Sequence, residues 1–140
     1  KVKFGFAVAA GHALTELPQP LPASAIQDYP TVIVADSSQR LPVRSAGLLD
    51  GRSRIIVPGI EHKMEVQRKG LGVGYLPLHR ITQQLAEGQL VLLELDAPRP
   101  PTEISAAWRR GNTGKALKWF VDRLKKMHFD TERGILTQNP

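Results

Sequence analysis

The sequence predicts an α/β fold, and three observations carry that prediction. From residue 31 onward, short runs rich in Val, Ile and Leu alternate with polar helix-forming segments that stop at glycine, the pattern of a sheet with crossovers. The 140 residues are 41% hydrophobic and 23% charged, the balance of a single ordinary domain able to bury a core. Prolines concentrate at 12–30 and 96–101, where they mark surface connections between structured runs.

The elements follow in order. KFGFAVAAG (3–11) sets Phe4, Phe6 and Val8 on one face with small residues on the other, and reads as a strand. Residues 12–30 hold four prolines and form an extended connection, with room for a short helix only at 23–28. TVIVADSS (31–38) is a buried β-branched strand that runs out into a polar loop. SAGLLDG (45–51) is loop or short helix, and RIIVPG (54–59) is a compact strand stopped by Pro58 and Gly59. IEHKMEVQRKG (60–70) is a helix with acidic residues early, basic residues late and Gly70 at its close. A strand LGVGYLP (71–77), a helix LHRITQQLAEG (78–88) and a strand QLVLLEL (89–95) complete the alternation.

DAPRPP (96–101) is a stiff linker, and EISAAWRR (103–110) reads as one more strand. An amphipathic helix follows, with Leu117, Phe120, Val121, Leu124 and Met127 on one stripe. Asn112 or Thr113 is placed to cap its start, and Lys125 and Lys126 complement its end. One strand and one helix do not make a domain, so they are expected to pack on something outside the chain. The opening KVKFGFAVAA, without a Met, reads as a strand already under way and as a fragment of a longer protein. Residues 129–140 show little periodicity and are expected to be loose.

The chemistry is mostly exclusion. Zero cysteines remove disulfides, thiolate nucleophiles and Cys-based zinc sites. No apolar run is long enough to span a membrane and no export signal opens the chain, so a cytoplasmic location is expected. The net charge is +6, and residues 103–133 hold eight Lys/Arg against four Asp/Glu, placed mostly on the outward side of the last helix. No aromatic-interleaved patch or DNA-reading motif accompanies them, so a solvated face is the expected reading. His12, His62, His79 and His128 keep no metal-ligand spacing, and neither a metal nor a cofactor is expected. His62 and Glu65 share a helix face as a surface pair. Ser37 and Ser38 lack a GxSxG context or an adjacent base, which argues against an enzyme.

KGLGVGYLP (69–77) has the spacing GxGxG and follows a helix, whereas a dinucleotide fingerprint is GxGxxG after a strand. Gly70 is therefore read as a helix-closing residue with positive φ, and Gly72 and Gly74 as one strand face that lets another backbone or a ligand come close. What remains is a binding site at strand C-terminal ends. Asp36, Ser37, Ser38 and Gln39 leave one buried strand, and VPGIEHK supplies a helix N-terminus suited to an anion or polar group. An ordinary polar turn and plain helix capping stay open as alternatives.

Five stretches in order, FAVAAGHAL (6–14), DYPTVIV (28–34), VQRKGLGVGYLPLH (66–79), LAEGQLVLLEL (85–95) and GKALKWFVDRL (114–124), resemble the effector-binding domain of LysR-type transcriptional regulators. Ala13 stands where the family's His-Pro-Leu has proline. The resemblance implies a periplasmic-binding-protein-like (type II) α/β fold, with the effector cleft between two subdomains. Residues 1–95 would be the second subdomain, 96–102 the crossover linker, 103–128 the return to the first subdomain and 129–140 a tail. It also implies a small-molecule effector, a homo-oligomer (dimer or tetramer), and DNA binding through a winged helix-turn-helix that is absent here. Effector contacts carry over to Ala35, Asp36, Ser37 and Ser38, and to Gly59 and Ile60 at the next helix start. Asp36 departs from what a carboxylate effector would want unless a basic residue such as Arg40 or Arg44 offsets it. A solute-binding receptor of the same cleft fold is the alternative.

Overall fold

The computed structural model describes residues 1–35, 53–109, 111, 114–130 and 135–138. Strand β1 (Phe4–Ala9) lies between β4 (Gly74–Pro77) and β5 (Leu90–Leu93) and is antiparallel to both. Strands β2 (Thr31–Val34) and β3 (Arg54–Val57) pair in parallel. A parallel bridge from Thr31 to Val73 joins the two groups, with the Val32 N–H donating to Val73 O and the Val73 N–H to Pro30 O, both at 2.9 Å. The expected strand 71–77 thus pairs in two directions: Val73 ladders onto β2, and from Gly74 the same chain turns to β1.

Gly72 is what allows this handover. A β-carbon there would stand 2.7 Å from Pro30 O and 2.7 Å from Val32 Cγ2, so only a hydrogen fits. Gly70, at φ +71, closes helix α2 (Ile60–Arg68) as expected, its N–H donating to Gln67 O. The crossover expected from the strand and helix alternation is the β3–α2–Val73 unit, whereas β1 and its two neighbours form an antiparallel ladder.

Both faces of β1 are covered. Phe6 and Val8 pack with Leu14, Leu21, Ile26 and Tyr75 on one side, and Ala7 packs with Leu76, Ile81 and Leu90 on the other. The first layer is closed by the proline-rich connection, which contains a 3-10 turn (Ala13–Glu16) and the short helix α1 (Ala23–Ile26). His12 caps that turn, its Nδ1 accepting from the Leu14 N–H at 3.2 Å, and burial holds its pKa below the ordinary value. The second layer is closed by α2 and by residues 78–86. There the expected helix 78–88 divides into a 3-10 turn (Leu78–Arg80) and α3 (Thr82–Ala86). The Leu78 N–H donates to Lys3 O at 3.0 Å, which ties the start of the segment to the sheet, and the backbone leaves helical geometry at Ile81, at φ −117 and ψ 10.

The C-terminal quarter departs further from expectation. Residues 103–109 form no strand and are exposed throughout, because an extended segment becomes a strand only where another strand accepts its ladder. Helix α4 (Lys115–Lys125) carries Leu117, Phe120, Val121 and Leu124 of the expected stripe, while Met127 falls beyond its end; its N-cap is Gly114 without a side-chain hydrogen bond, and Asn112 and Thr113 lie outside the described residues. The tail is not loose: β6 (Met127–Asp130) and β7 (Ile135–Gln138) pair antiparallel, Met127 opposite Gln138.

Candidate functional site

The parallel pair β2 and β3 ends in register, Val34 opposite Val57, and the Ala35 N–H donates to Val57 O at 2.8 Å. Pro58 then removes a ladder donor, Gly59 leaves the sheet in extended backbone, and α2 begins at Ile60. Ala35, Gly59 and Ile60 therefore meet at one end of two neighbouring strands. This is the place where open α/β sheets bind ligands. Asp36, Ser37 and Ser38 lie outside the described residues, as do Arg40 and Arg44.

The α2 start has no side-chain cap, and the Lys63 N–H is the first to return into the helix, donating to Gly59 O at 3.1 Å. The amides of Ile60, Glu61 and His62 precede that bond and are the free donors of any helix N-terminus. The Glu61 carboxylate is engaged with Arg80. Glu65 pairs with Arg68 at 2.8 Å and Lys69 at 3.3 Å, and not with His62 as the shared face suggested; the Arg68 hydrogen bond, then that of Lys69, holds its pKa below the usual carboxylate range.

The inward face of α2 carries Ile60, Lys63, Met64 and Gln67. Ile60 and Met64 pack on the Ala7–Leu76 layer. Gln67, fully buried, donates from Nε2 to Ala7 O and to Gly74 O, both at 2.8 Å. Lys63 is only 8% exposed and is the one charged side chain in the buried class among the described residues. Its Nζ stands 3.3 Å from where a Gly74 β-carbon would be, at the seam between β2 and β4. Burial, and after it the charge of Arg99, lowers its pKa from 10.5 to about 8. A lysine on a polar helix gives no sign of this by itself; the signal was its position three residues after Ile60 and four before Gln67, on the apolar stripe.

Arg99, in the linker, stacks 4.0 Å over the Phe4 ring. It borders an open cavity of about 320 Å³ lined by Phe4, Phe6, Tyr75, Leu93 and Glu94. The Tyr75 hydroxyl donates to Ala97 O at 3.4 Å, and burial raises its pKa. Among the described residues no cluster of His, Asp or Glu is arranged to hold a metal ion.

The antiparallel ladder about β1, the parallel β2–β3 pair joined to it through Val73, and the helix α2 that covers them define an α/β domain. Residues 1–128 match the LysR substrate binding domain, and the chain belongs to that family. It is 31% identical over 120 residues to the HTH-type transcriptional activator AllS of Salmonella typhimurium, covering 86% of this chain and 39% of that protein. It is 32% identical over 117 residues to the HTH-type transcriptional regulator PunR of Escherichia coli K12, covering 84% and 38%. The chain thus spans about two fifths of the length of the curated relatives it matches. Full-length LysG of Corynebacterium glutamicum shares the fold, with a TM-score of 0.54 at 19% identity over 86% of this chain and 40% of that one. The α/β effector-domain fold and the regulatory, non-enzymatic family agree with the sequence reading. No helix among the described residues is long and apolar enough to cross a membrane.

Proposed function

We propose that this chain is the effector-sensing part of a LysR-type transcription factor, with a small molecule bound at the ends of β2 and β3. The supporting observation is that Ala35, Gly59 and Ile60 are brought together by the in-register parallel pair, at the start of an uncapped helix. Asp36, Ser37 and Ser38, which follow Ala35 directly, complete the proposed site. Residues 1–95 form the ligand-binding subdomain, 96–102 the crossover, and 103–128 the return segment of a partner subdomain.

The mechanism is a population shift. A molecule held between two subdomains favours one relative arrangement of them, which changes the geometry of a homo-oligomer and so how its winged helix-turn-helix domains meet DNA. The test is a small-molecule panel scored by thermal shift on the intact regulator, repeated on Ser37→Ala and Ser38→Ala. The expected result is ligand affinity weakened about tenfold, the loss of one hydrogen bond of about 1.4 kcal/mol, with the unliganded melting temperature unchanged. Unaltered affinity in both variants removes the site from this loop.

A further inference from the structure

We propose that Lys63 is the anion anchor of this domain, its ammonium held at the seam between β2 and β4 to receive a carboxylate group of the bound molecule. The proposal rests on the cleft reading above and adds the chemical class of the ligand.

Four observations converge on it. Lys63 belongs to α2, one turn in from Ile60, on the helix that starts at the ends of β2 and β3. At Gly74 a β-carbon would come within 3.3 Å of Nζ and 3.2 Å of Val32 O, so the glycine keeps open the space that the ammonium occupies. The ladder to β2 is limited to the Thr31–Val73 bridge, and from Gly74 the chain pairs with β1 instead, so the Lys63 ammonium sits where the pairing changes partner. Lastly, no hydrogen bond or ion pair joins Lys63 to another described residue, while the charge that reaches it, from Arg99, is also positive.

Three carboxylates among the described residues, Glu61, Glu65 and Glu94, are otherwise occupied or exposed. Glu61 is engaged with Arg80, Glu65 is held by Arg68 and Lys69, and Glu94 is an exposed residue on the wall of the Arg99 cavity. Tyr75 keeps its proton to a pH above the ordinary phenol range and supplies no charge. A leucine or methionine would fill the same stripe at no desolvation cost, so a buried ammonium with no partner among the described residues is an expensive way to pack a helix. An arriving carboxylate turns that cost into a charge-assisted contact, and a neutral analogue forgoes it.

The experiment follows the lysine side-chain NMR signals of the chain through a pH titration with acetate, and with acetamide as the neutral control; Lys63→Met assigns the Lys63 signal. Expected is that acetate raises the Lys63 titration point saturably by about one unit, a tenfold tighter proton, while acetamide leaves it in place. Two results overturn the anchor: a Lys63 that titrates above 10.5 before any anion is added, which means a carboxylate already holds it, or an acetate shift no larger than that of exposed Lys69. The two readings fail separately. A neutral molecule that perturbs Ala35 and Gly59 but not Lys63 keeps the cleft and overturns the anchor. Acetate that moves Lys63 without perturbing Ala35 or Gly59 takes the anion site out of the cleft.

Discussion

Residues 1–95 and residues 103–138 are built from similar residues and are treated oppositely by the fold. In the first region Phe6, Leu14, Leu76 and Ile81 are at most 2% exposed. In the second, Ile104, Trp108, Trp119 and Phe120 are all more than half exposed. Hydrophobicity is therefore a necessary condition for a core and no guarantee of one; what separates the regions is whether a second layer is present to cover the apolar face. The first region has layers on both sides of β1. The second offers an extended segment and an amphipathic helix whose large apolar residues Ile104, Trp108, Trp119 and Phe120 face water.

Four changes test that contrast, taken from the largest effect to the smallest. Phe6→Ala removes a fully buried ring from the layer shared with Tyr75, whose ring centroid is 5.7 Å away. It should cost about 3–5 kcal/mol in urea unfolding, enough to leave the chain largely unfolded. Gly72→Val pushes a branched side chain against Pro30 O and should cost about 3 kcal/mol by parting the β2–Val73 bridge; a variant that unfolds at the parental urea concentration contradicts the close-approach argument. Lys63→Met acts through pH. Because the folded state lowers the Lys63 pKa from 10.5 to about 8, the unfolded chain holds the extra proton between those values. The parent's stability should rise across that window by up to about 3 kcal/mol and be lowest, for this group, below pH 8. The parent-minus-variant difference isolates the effect from Tyr75, and a flat difference shows that Lys63 is not desolvated. Phe120→Ser should shift stability by about 0.5 kcal/mol or less, since its ring is already solvated; a loss as large as that of Phe6→Ala would place a hidden layer over α4.

Much of the fold was legible where a short period met a stop signal. β2, β3 and α2 emerged at close to their observed bounds because β-branched runs end at Asp or Pro-Gly, and because α2 keeps its stripe up to Gly70. Pairing was not legible. Whether 71–77 ladders onto one neighbour or two depends on a contact with Pro30 some forty residues earlier, and nothing local to the glycines records that direction. The same limit explains the C-terminal differences: 103–109 has strand composition without a described strand beside it, and β6 and β7 are four residues each, too short for alternation to register. The strand ends at Ala35 and at Gly59 and Ile60, where the site is proposed, were legible because strand ends are marked by residue type. Lys63 had one signal, its place on the apolar stripe of α2, but whether a charge there is buried is decided by the opposing surface, here Gly74.

The Gln67 amide carries one more consequence. Ala7 and Gly74 are opposite each other at the end of the β1–β4 ladder, and a single Nε2 holds both of their carbonyls. The helix that begins at the strand ends is thus riveted at its far end to two strands at once. A tilt of α2 cannot be absorbed by a helix sliding over the sheet, and has to be passed to β1 and β4. For slow breathing motions these three elements are one mechanical part, so their amide protons should exchange with solvent together. A push at Ile60 would be felt as leverage at Ala7, at the root of the strand that opens the chain.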